Sequence, residues 1–340
     1  MLYTVRVAVP VGVLGAGSFG TCLALVCARK HDVTLWARRP EIAEAINRDR
    51  RNPEYLSHIE VPESVRATSD LRDALKDREV VICAVPSHGV REVLGRASGL
   101  IPEHAILVST VKGIEPETCL RMDQVLEEVL DARHHPRLVF LSGPSFAREI
   151  AEGRPTAVTV ACREEAYAIS IQESISFPWF RCYSSTDVVG VELGGALKNV
   201  IAIAAGISDG LEYGDNARAS VMTRGLREIA RLGVVLGADP LTFLGLAGLG
   251  DLVLTCAGNL SRNRRVGMEL ARGRKLSDIV AGMREVAEGV RTTRAVCTLA
   301  ERHGVEMPIA QMVNAVLDGE LEPRAAAERL MRRQLTSENE

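Results

Sequence analysis

A doubly wound α/β sheet domain followed by an all-α domain is what the sequence predicts, on three observations. Short β-rich runs alternate with helical segments through the first half of the chain. The first of these runs ends in a glycine-rich turn that opens a helical segment. After Asp187 the strand signals stop, and long Ala/Leu/Val-rich segments of helical period take over. At roughly 150 residues per domain, 340 residues make about two domains. The sheet domain is placed at 1–188 and the helical domain at 189–340.

Taken in order, 11–15, 33–36, 80–85, 106–111, 138–141 and 157–161 are the expected strands, each short and mostly apolar or β-branched. Their alternation with helical stretches implies a parallel sheet with crossover helices. Residues 21–28 form the first helix, directly after the glycine turn. The helical half is punctuated by Gly210, Gly214, the stretch 237–240 and Gly258.

Composition narrows the function. Hydrophobic residues make up 46%, charged residues 25% and aromatics 4%, ordinary globular usage. A balance of 41 basic against 44 acidic residues, formally -3, offers no surface built for nucleic acid or anionic membrane. The eight cysteines never form C-x-x-C and mostly sit in apolar runs, which reads as reduced thiols in a cytoplasmic protein. The first seventeen residues are apolar, but Arg6 is their one basic residue and Pro10 breaks the run, so no signal peptide is expected. The longest clean apolar stretch, 200–207, falls short of the roughly 20 residues a membrane span needs. The seven histidines lack metal-ligand spacing, and His134 and His135 beside Pro136 read as a surface loop. No metal is expected.

The turn itself runs Gly15-Ala16-Gly17-Ser18-Phe19-Gly20, a G-x-G-x-x-G between a strand and a helix. Gly15 permits the tight turn, Gly17 lets a pyrophosphate reach the backbone, and Gly20 lets the helix lie close on the strand with its first amides facing the phosphates. A dinucleotide is the ligand this implies. An acidic residue about 20 positions on usually bonds the ribose 2′-hydroxyl of NAD, but here Trp36-Ala37-Arg38-Arg39 stands instead. Two guanidiniums suit a 2′-phosphate, so NADP(H) is expected at least as well as NAD(H); a solvated arginine pair opening the next helix is the plainer alternative.

Lone charges in apolar surroundings mark the chemistry. Lys198 is the only charge in 193–208, a stretch apolar on nearly every helical face and therefore a buried helix. A desolvated amine there can exchange a proton or bind an anion, whereas a snorkelling lysine is the structural alternative. Gly194 and Gly195 each cost about 1 kcal/mol relative to Ala in a helix, which implies a close approach. Asp251 is the only charge in 241–260 and needs a partner if buried; Lys198 is the natural one, an N-cap role the alternative. Ser261, Arg262 and Asn263, with Arg264 and Arg265, open a helical pattern and offer an anion site. Lys112 with Gly113, and Gly143 with Ser145, follow the ends of two strands, where open α/β sheets bind ligands.

The blocks GAGSFG (15–20), TVKGIE (110–115), LSGPSFAREI (141–150), GRPTAV (153–158), VELGGALKNVIAIAAGISDG (191–210), GLGDLVLTC (248–256), SRNRRVG (261–267) and EVAEGVRTT (285–293) occur in this order. Together they resemble the prokaryotic-type NAD(P)-dependent glycerol-3-phosphate dehydrogenase family. The resemblance implies a Rossmann-type domain for NADP(H) or NAD(H), and reversible reduction of dihydroxyacetone phosphate to sn-glycerol 3-phosphate for phospholipid synthesis. It further implies cofactor contacts at Ser18, Phe19, Arg38, Lys112, Ala147, Arg262, Val286 and Glu288, with Arg39 and Tyr55 as weaker carry-overs. Substrate contacts are implied at Lys112, Gly143, Ser145, Lys198, Asp251, Ser261, Arg262 and Asn263, Lys198 being the acid/base. A homodimer is expected of the helical domain. Two rivals are a β-hydroxyacid-type dehydrogenase of the same architecture and a non-catalytic NADP(H) sensor. The SRN block argues against the first, and Lys198, Asp251 and Lys112 together against the second.

Overall fold

The computed structural model describes residues 8–283, 287–335 and 337–338. Val286, an expected cofactor contact, lies outside them. The chain divides into two compact units: residues up to Lys112 with Leu120–Glu192, and Gly113–Cys119 with the chain from Leu193 onward. In place of one boundary at 188/189, the backbone crosses after Lys112, after Cys119 and after Glu192.

The first unit holds one sheet of eight strands: β1 (Pro10–Leu14), β2 (Asp32–Trp36), β3 (Val65–Thr68), β4 (Val80–Cys83), β5 (Ile106–Ser109), β6 (Leu138–Ser142), β7 (Thr156–Ala161) and β8 (Phe180–Ser185). Their order is β3-β2-β1-β4-β5-β6-β7-β8. Around them lie α1 (Ser18–Cys27), α2 (Pro40–Asp49), α3 (Leu71–Leu75), α4 (Val90–Ala97), α5 (Met122–Val129), α6 (Ala147–Ala151) and α7 (Glu165–Ile175). Strands β1 to β6 pair in parallel. All four residues of β4 are buried, as in a sheet covered on both faces. The order reverses between β1 and β4, so the crevice outside their carboxyl ends is the topological switch point where such folds bind ligands.

The expected all-parallel sheet is corrected at one edge. β7 runs antiparallel to β6, and β8 runs parallel to β7. The only helix between β6 and β7 is the five-residue α6, about 7.5 Å long, too short to carry the chain back along a strand of about 17 Å. β3 and β8 were not expected at all. They are the outer strands, half-polar and without the apolar run that betrays a central strand. His134 is also corrected: it is 2% exposed, turned inward by a 3₁₀ turn, Ala132–Arg137, that the Asp131 side chain caps. Burial lowers its pKa, with Arg133 next in effect.

The second unit is helical. α8 (Val188–Gly210) starts in the first unit and is followed by α9 (Gly214–Val235), a 3₁₀ turn (Pro240–Leu244) and a π-helical turn (Leu246–Gly250). Then come α10 (Asp251–Ala257), α11 (Arg262–Ala271), α12 (Leu276–Ala281), α13 (Glu288–Arg302), α14 (Pro308–Leu317) and α15 (Pro323–Met331). α8 has 23 residues, longer than the 200–207 stretch suggested, and by length and composition alone it could cross a membrane. Its apolar window is 94% buried within the protein, so it is the core helix of this unit.

Candidate active site

In the first unit, β1 delivers the chain into the glycine turn. Gly15 has φ +111°, and a Cβ there would meet the Ala84 carbonyl oxygen at 2.8 Å. A Cβ on Gly20 would come within 1.8 Å of the Gly15 oxygen, so neither position takes a larger residue. Gly17 is different, because its Cβ would meet no protein atom within 4 Å. The backbone there is open to a ligand at the start of α1, where Ser18 and the half-buried Phe19 stand. Ala147 opens α6 and rests on the same core as Phe19.

Around this turn the structure adds a residue that the sequence did not single out. Asn52 is fully buried. Its Nδ2 donates to the Ala16 carbonyl and to Thr21 Oγ1, both at 2.9 Å, and its Oδ1 accepts from the backbone N–H groups of Glu54 at 3.0 Å and Tyr55 at 3.1 Å. Arg38 and Arg39 follow β2, both exposed, and Arg39 is ion-paired with Glu54. Beyond β5, Lys112 Nζ donates to the Gly143 carbonyl at 2.9 Å and to Ser145 Oγ at 3.1 Å. Ser145 Oγ in turn donates to the Gly143 carbonyl at 2.8 Å. Gly143 has φ +132°, and a Cβ would lie 3.0 Å from Val158 Cα. Lys112, Gly143 and Ser145, three of the four residues expected near strand ends, therefore form one cluster.

In the second unit, Lys198 is 6% exposed and Asp251 1%. Lys198 Nζ donates to the Asp251 carboxylate and, at 3.0 Å, to Thr255 Oγ1. The Thr255 hydroxyl donates at 2.6 Å to the Asp251 carbonyl. A buried ion pair persists only where its geometry is good and further hydrogen bonds satisfy it, as here. The π-helical turn sets Asp251 in place: a Cβ on Gly248 would meet the Phe243 oxygen at 2.2 Å, and one on Gly194 would meet the Ala247 oxygen at 2.5 Å. The close approach expected at Gly194 is thus the seat of that turn, one helical turn before Lys198.

α11 carries the second cluster. Ser261 caps it, Oγ accepting from the Arg264 N–H at 3.3 Å, and Arg262 stands exposed at its first position. Asn263 is buried, its Nδ2 donating to Asn199 Oδ1 at 2.8 Å and its Oδ1 accepting from the Gly289 N–H at 3.0 Å. It thereby ties α11 to the residue after Lys198 and to the start of α13, where Glu288 lies. α11 touches α8 backbone to backbone: a Cβ on Gly206 would meet the Arg264 oxygen, and one on Gly267 the Ile203 oxygen, each at 2.0 Å. Arg264 Nε adds a 2.6 Å ion pair to Asp209 of α8.

Known proteins match this chain along nearly its whole length. Residues 10–168 match the family described as NAD-dependent glycerol-3-phosphate dehydrogenase N-terminus, and residues 187–328 the corresponding C-terminus. The chain belongs to the NAD-dependent glycerol-3-phosphate dehydrogenase family. It is 53% identical over 327 residues to the glycerol-3-phosphate dehydrogenase [NAD(P)+] of Myxococcus xanthus, covering 96% of this chain and 98% of that one. The enzyme of the same name from Koribacter versatilis is 51% identical over 331 residues, with the same coverage. The crystal structure of glycerol-3-phosphate dehydrogenase from Coxiella burnetii superposes with a TM-score of 0.90 at 38% identity, covering 96% of this chain and 99% of that one.

The dinucleotide of a glycerol-3-phosphate dehydrogenase fits the first unit on the chain's own geometry, through the approach left open at Gly17 and the cluster at Lys112. Among the described residues no group of three His, Cys, Asp or Glu could hold a metal ion. Sequence reasoning missed Thr255, Asn199 and Asn52. Thr255 had a signal, standing one helical turn after the lone Asp251; Asn199 stands beside Lys198 without a charge to mark it; Asn52, before Pro53, carries no charge or motif that marks it.

Proposed function

We propose that the chain catalyses the reversible NAD(P)H-dependent reduction of dihydroxyacetone phosphate to sn-glycerol 3-phosphate, supplying glycerophospholipid synthesis, as a cytoplasmic homodimer. The buried Lys198–Asp251–Thr255 set carries this reading, because it holds an amine in a water-poor environment with its orientation fixed by two oxygens. The bound dinucleotide supplies the hydride. Lys198 donates a proton to the oxygen on C2 as negative charge develops there, and takes it back in the reverse direction. Asp251 balances the ammonium and aims it, and Thr255 braces the pair.

Arg262 and the first amides of α11 hold the substrate phosphate, where a guanidinium and a helix N-terminus act on the same anion. Asn263 sets that helix start relative to Asn199, so phosphate binding orients the carbonyl toward Lys198. Lys112 and Ser145, bonded to each other within the first unit, are the further substrate contacts of this reading. Seven buried cysteines without a disulfide support a reducing compartment.

The test is oxidation of NADPH and NADH with dihydroxyacetone phosphate, beside unphosphorylated dihydroxyacetone. Lys198→Ala is expected to lower kcat by about 10²–10⁴ while cofactor binding persists. Arg262→Ala is expected to raise KM for the phosphorylated substrate far more than Lys198→Ala does. Equal rates on dihydroxyacetone with and without its phosphate, or full turnover in Lys198→Ala, sink the reading.

A further inference from the structure

Arg39 stands at the residue before α2, just past the carboxyl end of β2, which is where a dinucleotide bound at the glycine turn presents its ribose. Its guanidinium is held by the Glu54 carboxylate, and the Glu41 carboxylate lies 3.8 Å from its Nε. Arg38 is exposed and makes no ion pair with any described residue. Of the two guanidiniums that the sequence offers to a 2′-phosphate, one is therefore already matched by an acid.

The position of Glu54 is fixed by the fold. Its backbone N–H, like that of Tyr55, is bound by Asn52 Oδ1, while Asn52 Nδ2 is bound to Ala16 within the glycine turn and to Thr21 of α1. Asn52 has no exposed surface, so these bonds are shielded from water and all four lone-pair and N–H directions of the amide are used. The segment bearing Glu54 is thus fastened to the turn that receives the phosphates, and its carboxylate is delivered to the neighbouring ribose edge.

We propose that Glu54, held in register by Asn52, is a specificity-determining residue that occupies Arg39 and weights the cofactor site toward a free ribose 2′-hydroxyl. This rests on the reading of the glycine turn as the dinucleotide site. A 2′-phosphate carries about -1.5 to -2 charges and only accepts hydrogen bonds, as a carboxylate does. To use Arg39 it must displace Glu54 and then sit beside it. A 2′-hydroxyl carries no charge and can donate to the carboxylate. Arg39 and Glu54 are 47% and 39% exposed, and exposed pairs are weak, so the outcome is a graded preference and not an exclusion.

Dissociation constants for NADPH and NADH, measured calorimetrically on the full-length protein without substrate, test this. Glu54→Gln keeps the backbone bonds to Asn52 and removes the charge. It is expected to tighten NADPH about three- to tenfold and to leave NADH within about twofold. Adding Arg39→Ala should abolish the gain, and raising the salt should shrink it. An unchanged NADPH to NADH ratio in Glu54→Gln overturns the proposal, as does a gain that survives Arg39→Ala. A wild-type protein that binds neither dinucleotide overturns the site reading itself, and the proposal with it.

Discussion

Lys198 reaches two oxygens, and one of them belongs to a hydroxyl whose own proton is committed to the Asp251 carbonyl. Thr255 can therefore only accept from the ammonium, which makes it a brace for the amine and not a competing donor. Hydrogen bonds to charged groups contribute about 1.5–3 kcal/mol, so Thr255→Val is expected to lower kcat about tenfold or more with cofactor affinity unchanged, while Thr255→Ser retains most of it. Steady-state kcat beside a cofactor titration checks this, and a wild-type kcat in Thr255→Val would remove the brace from the account. Lys198 and Asp251 were legible because a single charge in an apolar helix has to find a partner. Thr255 and Asn199 were not, since a neutral polar residue in such a helix demands nothing. Arg38 and Arg39 were legible as a pair, but the acid that separates their roles arrives from fifteen residues further along the chain and depends on how that loop folds.

Two helices meet at a buried acid. Glu228 of α9 is 5% exposed, and its carboxylate accepts from the Ile309 N–H at 2.7 Å and the Ala310 N–H at 3.2 Å, at the start of α14, where Pro308 brings no donor of its own. Burial pushes its pKa from the ordinary 4.5 up to about 7, against those two N–H groups and the more distant Arg231 and Arg333. The folded state then holds the proton more firmly than the unfolded chain, so stability from this group is greatest below about pH 4.5 and declines as pH rises through 7. The whole effect is at most about 3 kcal/mol. Glu228→Gln should abolish this slope, and thermal denaturation of both proteins between pH 4.5 and 7.5 measures it; parallel curves would show that Glu228 titrates ordinarily. Strands were readable at this scale where both faces are covered, as in β4, and unreadable at β3 and β8, where half the residues face water. The direction of β7 was hidden in the length of α6, which no residue pattern announces.

The order of the domains was plain from where the strand signals end, yet the passage of 113–119 into the second unit was not, because that segment carries no change of composition. Beside two of the crossings lies an acidic pair: the Asp123 N–H donates to Glu192 Oε1 at 3.1 Å, with Arg121 and Arg163 on the Asp123 carboxylate at 3.0 and 2.7 Å. Burial, then the charge of Asp123, pushes the Glu192 carboxyl well above its usual range. Thiols report on the whole molecule as well. Seven of the eight cysteines are buried, and burial pushes Cys83 up to about 11 and Cys27, Cys182, Cys256 and Cys297 up to about 12. The native protein should therefore resist alkylation near neutral pH, and labelling should track global unfolding. Mass spectrometry after a brief iodoacetamide pulse, with and without denaturant, reads this directly; native labelling at the unfolded rate would contradict it. The direct contact of α8 with α11 bears on how natural variation in this family should be understood. Gly206 and Gly267 offer no group for a substrate to recognise, yet a Cβ at either would meet the facing helix's backbone at 2.0 Å and push α8 and α11 apart. A variant at either position is expected to act through the spacing of these two helices, with the Lys198 and Arg262 side chains themselves intact.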